Sequence, residues 1–407
     1  MQWHIVTGEY PPQLGGVSDY TYQLSKELAK QGDRVHIWSP APHSEVIQGE
    51  TEHIHALPHG FGWRWLRELN RQIQSFQGPR NILIQYVPHM YGWKSMNLAF
   101  CAWICMQRRH NVSVMFHEVA FPLERGQRRR HRLLAIAHRV MAWAILRSVR
   151  HSFTSTDQYL DLLQNLGSSG SPISLLRICS NIPSESYQWD SVHRQEDDPS
   201  APFTIGIFSN FATELREVLT PVIGSVLENP KIAVALLGPG EAFRESLIKK
   251  YPQAANRIRS TGRLHVSRVA EHMRGCNALL QIYPDGASAA RGTLIGALAS
   301  GIPVITTAGP NTDKLLLESN TMLFSDLSPH SIRACIEMLS QNPAIAQEFG
   351  IRAQRLYQES FQPSVIVSRL REVAFDFDGA IGVVAYPVGT SASSPAPQCS
   401  VGDKLAS

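Results

Sequence analysis

The sequence predicts an α/β protein built from two Rossmann-like domains that face each other across a cleft. Three observations support this fold class. The chain has 407 residues, more than one ordinary hydrophobic core holds. Short β-rich apolar runs alternate with amphipathic segments, as in βαβ units with a parallel sheet. A polar, acidic, proline-bearing segment at residues 190–202 separates two such series and is interpreted as an interdomain linker.

The first domain is predicted to cover residues 1–189. Its first helix is predicted shortly after the first strand. Val17, Tyr20, Leu24 and Leu28 repeat at helical spacing, and a glycine at position 32 ends the pattern. The predicted strands of this domain are residues 3–7, 34–39, 54–57, 81–87, 112–117, 151–155 and 174–178.

The second domain is predicted to cover residues 203–360 and to repeat the same alternation. Residues 361–378 contain an amphipathic pattern that predicts a last helix. Residues 379–407 contain Pro, Ser and Gly without periodicity, and we expect them to be disordered. The predicted strands of the second domain are residues 203–208, 232–237, 278–282, 302–306 and 321–324.

The composition favours a globular enzyme in the cytoplasm. Apolar residues make up 43% of the chain and charged residues 18%, with a net charge of +4. No basic stretch is interleaved with aromatic residues, so we expect no nucleic-acid partner. The six cysteines form no C-x-x-C pair, which favours reduced thiols. The start of the sequence reads as a strand rather than a signal peptide, and no apolar run is long enough to span a membrane.

The first candidate site is the turn that contains Gly15 and Gly16. It lies between the first strand and the first helix, in the stretch "PPQLGGVSDY". The pattern is neither a P-loop nor the G-x-G-x-x-G fingerprint of dinucleotide-binding domains. Two interpretations stay open: a plain tight turn, or a backbone that approaches a phosphate at a helix N-terminus.

A second candidate lies at the end of a predicted strand, in "MFHEVAFP", where His117 is followed by Glu118. A single histidine at a strand end is often structural. Ligands of open α/β sheets, however, bind at the carboxyl ends of the strands. A neutral imidazole at such a place can donate to a hydroxyl or stabilise developing charge.

A third candidate is the small-residue loop in "IYPDGASAARGTLIGALASGIPVITT", residues 282–307. A helix is predicted to open at Arg291 or Gly292. We expect the amides of Ala289, Ala290 and Arg291 to face an anion, with the Arg291 guanidinium adding a contact. An exposed loop with a solvated arginine is the alternative interpretation.

Weaker glycine turns follow two other predicted strands of the second domain. One is "LLGPGEAF", with Gly238 and Gly240, and the other is "TGRL", residues 261–264. Both are placed where a nucleotide base or ribose would bind if the cleft holds one. The histidines of the first domain form no tetrahedral set with cysteine, so no metal site is expected.

Residues 125–150 form the most basic segment, "RGQRRRHRLLAIAHRVMAWAILRSVR". One interpretation is an ordinary surface helix packed through its apolar face. The other is peripheral adhesion to anionic lipid at the inner face of the membrane, near a lipid-linked acceptor. The sequence leaves both open.

In combination and order, these motifs resemble the retaining, GT-B-fold glycosyltransferases of the group 1 type. "GEYPPQLGGVSDYTYQLSKELAKQGDRVHIWSP" is similar to their opening stretch, "FHE" to their first-domain histidine strand, and "LLGPGEAF", "TGRL" and "LIGALASGIPVITTAG" to their donor-binding half. The resemblance covers roughly residues 1–370. It implies a GT-B fold with a cleft between two Rossmann-like domains.

The resemblance also implies the chemistry. A nucleotide-sugar donor is expected mainly on the second domain and a glycan or lipid-linked acceptor on the first, with no metal or other cofactor. The diphosphate is expected against Gly15 and Gly16, and the last helix is expected to cross back onto the first domain. The expected catalytic residues are His117 and Arg291, and the expected substrate-binding residues are Gly15, Gly16, Glu118, Arg216, Gly238, Arg263, Leu264, Asp285, Ser288, Ala290 and Thr293.

One departure from the family pattern keeps other functions open. The family usually carries two glutamates eight residues apart, and alignment puts Ser288 and Gly296 at those places. The usual diphosphate-binding Arg and Lys are represented by Arg216 alone, and Arg291 is a possible substitute. The alternatives to a transferase are therefore a non-catalytic nucleotide-sugar-binding module or partner subunit, and a GT-B-fold epimerase.

Overall fold

A computed structural model of the chain describes residues 1–13, 15–40, 52–57, 60–107, 111–123, 126–167, 171–180, 182 and 201–375. The chain divides into two compact units. The first contains Met1–Cys179 together with the helix that begins at Pro363, and the second contains Ser180–Gln362. Nearly all of the predicted linker, 190–202, and the whole predicted tail, 379–407, lie outside the described residues.

The first unit is built on a seven-stranded sheet in which every neighbouring pair is parallel. The strand order is β3-β2-β1-β4-β5-β6-β7. Side chains alternate between the two faces, so Ile82 and Ile84 enter one apolar core and Leu83 enters the other. The strands are β1 Gln2–Val6, β2 Arg34–Ser39, β3 Glu52–Ala56, β4 Asn81–Tyr86, β5 Asn111–Phe116, β6 His151–Thr154 and β7 Ile173–Leu175.

Helices cover both faces of this sheet, as parallel sheets require. The first of them buries Tyr20, Leu24 and Leu28 against the sheet, in agreement with the predicted helical spacing. The helices of this part of the chain are α1 Gly16–Lys30, α2 Trp63–Ser75, α3 Leu98–Met106, α4 Arg129–Leu146 and α5 Asp157–Asn165, with a 3₁₀ turn at Trp93–Ser95.

The second unit is built on a six-stranded sheet that is also parallel between all neighbours. Its order is β10-β9-β8-β11-β12-β13. Ile232, Val234 and Leu236 enter the core on one face, and Ala235 and Leu237 enter the core on the other. The strands are β8 Phe203–Phe208, β9 Ile232–Leu237, β10 Ile258–Ser260, β11 Ala278–Gln281, β12 Val304–Thr307 and β13 Leu323–Ser325.

The helices of the second unit alternate with these strands in the βαβ manner. A 3₁₀ segment, Pro252–Arg257, precedes β10. The α-helices are α6 Thr213–Leu227, α7 Glu241–Lys250, α8 Val266–Arg274, α9 Gly292–Ala299, α10 Lys314–Glu318, α11 Pro329–Gln341 and α12 Pro343–Ser360.

The last described helix, α13 Pro363–Phe375, belongs to the first unit. Its buried residues Ile366, Val367 and Leu370 share an apolar core with the inner face of α1. The side chain of Arg371 donates from Nη1 to Gln31 Oε1 at 2.9 Å, and its Nη2 lies 3.4 Å from Asp33 Oδ1.

The predicted fold class, two parallel-sheet α/β domains, is confirmed. The predicted strands 34–39, 203–208 and 232–237 have the observed ends, and the others differ at one or both ends by one to three residues. The helix predicted to open at Arg291 or Gly292 begins at Gly292. One strand, β10, was not predicted, because its three residues include an exposed arginine in the middle and give no apolar run.

The two sheets share one topological feature that positions candidate sites. In each sheet the first strand of the unit lies inside the sheet. The next strands are added on one side of it and the later ones on the other, so the strand order reverses between β1 and β4 and between β8 and β11. Open α/β sheets bind ligands outside the carboxyl ends of the strands at such switch points. The loops that follow these strands are therefore the candidate ligand sites of each unit.

Candidate functional site

The turn between β1 and α1 contains an acidic residue that the sequence motifs did not single out. The amides of Val17 and Ser18 both donate to Glu9 Oε1, at 3.1 and 3.0 Å. The first amides of a helix lack partners within the helix, and the helix end carries a partial positive charge. The chain's own carboxylate therefore occupies the anion-binding position at the start of α1.

The two glycines of this turn have different surroundings. A Cβ added to Gly15 would lie 2.3 Å from Glu9 Oε1, whereas one added to Gly16 would meet nothing within 4 Å. The absence of a side chain at Gly15 thus makes room for the Glu9 carboxylate. Gly16 is exposed and leaves open space at the helix start. Contact of either glycine with a donor diphosphate remains a prediction.

A second acidic residue, Asp19, lies in the first turn of α1. Burial raises the pKa of its carboxyl to about 6, and the nearby charge of Glu9 contributes in the same direction. The sequence motifs did not predict Asp19 as a site residue either. The only signal available there was an acidic residue shortly after the Gly-Gly turn.

His117 follows β5 directly, at the carboxyl end of the first sheet. Its amide donates to the carbonyl of Tyr86 at 3.0 Å, and its Nε2 lies 2.7 Å from Gln85 Oε1. The ring of Tyr20 packs edge-on against the imidazole, with centroids 5.1 Å apart. Burial lowers the pKa of His117 to about 3, so the ring is neutral at physiological pH.

These contacts define what the imidazole can do. With the Gln85 amide in this orientation, its Oε1 accepts from a protonated Nε2, and Nδ1 is the ring nitrogen left as an acceptor. A neutral ring held in this way can accept a hydrogen bond from a hydroxyl. Gln85 is fully buried and was not predicted as a site residue, because a polar residue inside a strand gives no sequence motif.

The side chain of Glu118 has different surroundings from that of His117. Its side chain is half exposed, and its Oε2 lies 3.4 Å from His89 Nδ1 on the loop after β4. The His117 imidazole is therefore fixed by contacts within the protein, whereas the carboxylate of Glu118 is exposed. The substrate-binding role predicted for Glu118 stays a prediction.

In the second unit, the loop after β8 is held by Arg216 of α6. Its Nε donates to the carbonyl of Phe211 at 2.5 Å, and its guanidinium carbon lies 6.0 Å from the centre of the Phe243 ring. Phe211 adopts a positive φ of 53°, a conformation that non-glycine residues rarely adopt. At least part of the Arg216 side chain therefore stabilises the protein's own loop, and its predicted contact with substrate is untested.

Gly238 and the "TGRL" turn lie together after β9 and β10. Gly238 forms an antiparallel bridge with Gly262, and its amide donates to Thr261 Oγ1 at 3.1 Å. Gly238 has a φ of +123°, and a Cβ there would lie 2.3 Å from the carbonyl oxygen of Ser209. The close approach that requires this glycine is thus one between two loops of the protein.

The two remaining residues of that turn differ in exposure. Arg263 is exposed to solvent, whereas Leu264 is half-buried and packs against the apolar core on one face of the second sheet. Both follow β10 at the carboxyl side of the sheet. Their predicted place beside a nucleotide is neither supported nor contradicted by these contacts.

The small-residue loop after β11 differs from its prediction in one respect. The amide of Ala289 donates to Asp313 Oδ2 at 2.5 Å, that of Ala290 to Ser288 Oγ at 3.2 Å, and that of Arg291 to the Ser288 carbonyl at 3.0 Å. All three amides expected to face an anion therefore have acceptors within the protein. Asp313, which lies just before α10, was not foreseen as one of these acceptors.

The next two backbone amides along this loop differ from those three, because their N–H groups are available to a ligand. The amides of Gly292 and Thr293 open α9 and have no hydrogen-bond acceptor among the described residues. Beside them, Nη2 of Arg291 donates to both carboxylate oxygens of Asp285, at 2.9 and 2.8 Å. The Arg291 and Asp285 side chains remain 43% and 40% exposed, so solvent or a ligand reaches both.

Tyr283 completes this cluster. Its hydroxyl lies 2.8 Å from Thr293 Oγ1, and its ring centre lies 5.3 Å from the guanidinium carbon of Arg291. The structure thus brings together three predicted site residues, Asp285, Arg291 and Thr293, at the N-terminus of α9. A helix start with unpartnered amides and an accessible guanidinium is a site for an anionic group such as a phosphate.

The two positions at which the family pattern has glutamates are buried. Ser288 caps the loop through its hydroxyl, and Gly296 lies within α9. The carboxylates of this loop are instead Asp285, which holds Arg291, and Asp313, which holds the Ala289 amide. The chain therefore lacks the usual pair of sugar- and ribose-reading carboxylates at those positions.

Three further observations concern only the described part of the chain. It contains no group of three or more His, Cys, Asp or Glu side chains arranged to hold a metal ion. No helix in it combines the length and apolar character needed to cross a bilayer. Its five cysteines, Cys101, Cys105, Cys179, Cys276 and Cys335, are free thiols.

Comparison with known sequences gives a family match that lies within the first unit and covers less than half of the chain. Residues 14–177 match the family model of Glycosyltransferase Family 4. No curated protein sequence matches the chain significantly. The matched residues include the Gly-Gly turn, strand β5 and His117, which follows it.

Comparison with solved structures covers both units. Sucrose-phosphate synthase from Thermosynechococcus elongatus is 16% identical, with a TM-score of 0.68 and coverage of 93% of this chain and 99% of that one. Anabaena HepE, solved in complex with UDP and glucose, is 12% identical, with a TM-score of 0.63 and coverage of 92% and 100%. WaaG, a glycosyltransferase involved in lipopolysaccharide biosynthesis, is 14% identical, with a TM-score of 0.59 and coverage of 93% and 99%.

At these identities the solved structures establish the fold, which is that of GT-B glycosyltransferases. The family match shows that residues 14–177 are also similar in sequence to a glycosyltransferase family. The resemblance to group 1 glycosyltransferases that the sequence motifs indicated is therefore confirmed.

Proposed function

We propose that this GT-B chain transfers a sugar from a nucleotide-sugar donor to a hydroxyl of a glycan or lipid-linked saccharide, with retention and without a metal ion. The observation that carries the proposal is the cluster at the start of α9. Two unpartnered helix amides and an accessible Arg291 lie together at the switch point of the second sheet, where an anionic ligand is expected.

On the donor side, Arg291 and the amides of Gly292 and Thr293 bind the diphosphate. Arg291 changes partners when a phosphate arrives, because its ion pair with Asp285 is exposed and such pairs contribute little. Donors of this kind stabilise a departing anion by about 3 kcal/mol each, by analogy with oxyanion sites. HepE was solved with UDP and glucose, which makes uridine nucleotides the first donors to test.

On the sugar side, His117 accepts a hydrogen bond from a sugar hydroxyl through Nδ1. The ring keeps its orientation because Nε2 donates to buried Gln85 and Tyr20 packs against it. Its neutral state matters, because an imidazolium would repel the positive charge that develops on the sugar.

The proposed transfer balances without a protein nucleophile. The bond between the anomeric carbon and the diphosphate oxygen breaks, and its electron pair leaves with the nucleoside diphosphate. The acceptor oxygen bonds to the anomeric carbon on the same face of the sugar, and its proton passes to a leaving phosphate oxygen. The protein contributes orientation and charge stabilisation to both steps.

The test is release of nucleoside diphosphate from a panel of nucleotide sugars, first with water and then with saccharide acceptors. The proposal expects turnover with at least one donor, and a faster rate with a suitable acceptor. A product with the donor's anomeric configuration is expected by NMR, and an inverted product would contradict retention. Formation of an isomeric nucleotide sugar would instead identify an epimerase.

A second candidate, a non-catalytic nucleotide-sugar-binding module or partner subunit, is favoured by Ser288 and Gly296. These residues supply no carboxylate where the family pattern has two. Donor binding by calorimetry without release of nucleoside diphosphate, and with no effect of His117→Ala on any product, would support the module. Donor binding with turnover that depends on His117 would exclude it.

A further inference from the structure

Helix α4 is apolar on two faces, only one of which is covered. Its inner face buries Ala135, Ala142 and Ile145 in the core of the first unit. Its outer face exposes four large apolar side chains spaced three, four and three residues apart. They are Leu133 at 68%, Ile136 at 47%, Val140 at 56% and Trp143 at 42% exposure. A surface helix usually has a polar outer face, so this stripe needs an explanation.

The neighbouring segments expose apolar side chains as well. Trp93 of the 3₁₀ turn is 69% exposed, and Leu98 and Met106 of α3 are 65% and 57% exposed. These segments lie against α4: His138 Nε2 is 2.9 Å from the Ser95 carbonyl, and Cys105 Sγ is 3.6 Å from the Ala144 carbonyl. We call the seven exposed side chains of Trp93, Leu98, Met106, Leu133, Ile136, Val140 and Trp143 the α3–α4 surface.

The charged residues at the two ends of α4 are arginines. Arg128, Arg129, Arg130 and Arg132 are exposed at the start of α4, and none forms an ion pair with a described residue. Arg147 is exposed at the other end and places its guanidinium 4.7 Å from the centre of the Trp143 ring. Glu118 is the one described acidic residue between positions 91 and 156, and its partner is His89.

This charge pattern discriminates between possible occupants. Two copies joined through α4 would bring arginines of one copy against arginines of the other, and α3 and α4 themselves contain no carboxylate that could offset them. An anionic bilayer surface offers negative charge around an apolar interior. It therefore matches a stripe of Leu, Ile, Val and Trp bordered by arginine.

We propose that the α3–α4 surface docks onto an anionic lipid bilayer, with α4 lying in the plane of the interface. The apolar stripe inserts at the boundary between headgroups and acyl chains, where tryptophan is favoured. The arginines at both ends of α4 contact lipid phosphates. This proposal goes beyond the sugar-transfer function and does not depend on it, because it rests on a surface of the first unit alone.

The experiment is co-sedimentation of the full chain with vesicles of phosphatidylcholine alone or mixed with phosphatidylglycerol. Strong binding is expected only to the anionic vesicles, and salt should weaken it. Each arginine near an anionic surface contributes about fivefold to partitioning, so the triple change Arg129→Gln, Arg130→Gln and Arg132→Gln should weaken binding about 100-fold. The double change Leu133→Ser and Val140→Ser should weaken it about tenfold or more.

The matched control is Ile351→Ser on α12, which removes a 54% exposed isoleucine from the second unit and should leave binding unchanged. All substituted side chains are exposed, so the melting temperatures of the variants should stay close to that of the parent. Equal binding to neutral and anionic vesicles, or parent-like binding by both multiple variants, would overturn the proposal. A dimer that dissociates on Leu133→Ser and Val140→Ser, without vesicle binding, would identify a second copy as the occupant.

Discussion

The two units share a strand order but carry opposite chemistry at their switch points. In the first unit the start of α1 is already occupied by the Glu9 carboxylate, and Asp19 adds a second acid nearby. In the second unit the start of α9 has two unpartnered amides among the described residues, and Arg291 beside them. The first site therefore presents carboxylates, whereas the second presents those two helix amides beside an arginine that is paired with Asp285.

The shared strand order puts a candidate site at the same point of each sheet, but the loop residues determine which ligand can bind there. A helix N-terminus attracts an anion wherever it occurs. At α1 the chain supplies that anion itself, so an incoming phosphate would meet a carboxylate. At α9 it does not, so we assign the diphosphate to the second unit and the reacting sugar to the first.

The largest expected effect tests the first unit. His117→Ala should lower kcat about 100-fold, or about 3 kcal/mol, because it removes a preorganised neutral contact to the sugar. Donor affinity should change less than kcat. Steady-state kinetics and calorimetry measure the two quantities, and His330→Ala, which removes an exposed histidine from α11, is the control. A kcat unchanged by His117→Ala would remove His117 from the mechanism.

The next effect tests the second unit. Arg291→Ala should weaken donor binding about tenfold to 100-fold, since a hydrogen bond to a charged group contributes about 1.5–3 kcal/mol. Calorimetry with the donor measures this, and Arg268→Ala, which removes another exposed arginine paired with a glutamate, is the control.

Calorimetry with the donor also tests which of the two units binds the phosphate. Glu9→Gln removes the charge that fills the start of α1. If it changes donor affinity more than Arg291→Ala does, the phosphate binds to the first unit and the assignment is reversed.

The smallest effect concerns pH and Asp19. The pKa of Asp19 is about 6 in the folded protein, whereas the ordinary pKa of an aspartate in an unfolded chain is 3.8. The free energy of unfolding therefore falls as pH rises through this window. We expect a contribution of about 1 kcal/mol, because the carboxylate is partly exposed. Urea unfolding of the parent and of Asp19→Asn at pH 4 and pH 6.5 should give a difference that grows with pH, and a constant difference would contradict the assignment.

The fold was predictable from the sequence because its signals are local. Runs such as Ile232–Leu237 are buried on both faces and cannot be polar anywhere, so they are visible as apolar stretches. The short edge strand Ile258–Ser260 is the exception, since only a part of it is buried. His117 and Arg291 were found because parallel sheets bind ligands at the ends of their strands.

The residues missed at the candidate sites depend on contacts between distant positions. Asp313 accepts from Ala289, 24 residues before it, and Gln85 holds His117, 32 residues after it. Glu9 reaches the start of α1 across a turn whose shape the sequence does not specify. Such partners decide which amides and which ring nitrogen remain available, and no local pattern encodes them.

The membership of α13 in the first unit affects how the gene can be divided. A fragment that ends at Cys179 would leave Leu24 and Leu28 of α1 without the cover of Ile366, Val367 and Leu370. It would also leave Asp33 without the neighbouring guanidinium of Arg371. A recombination event that replaced only the coding segment of α1 would pair it with an α13 from another parent. The coding segments of α1 and α13 therefore have to be exchanged, or to change, together.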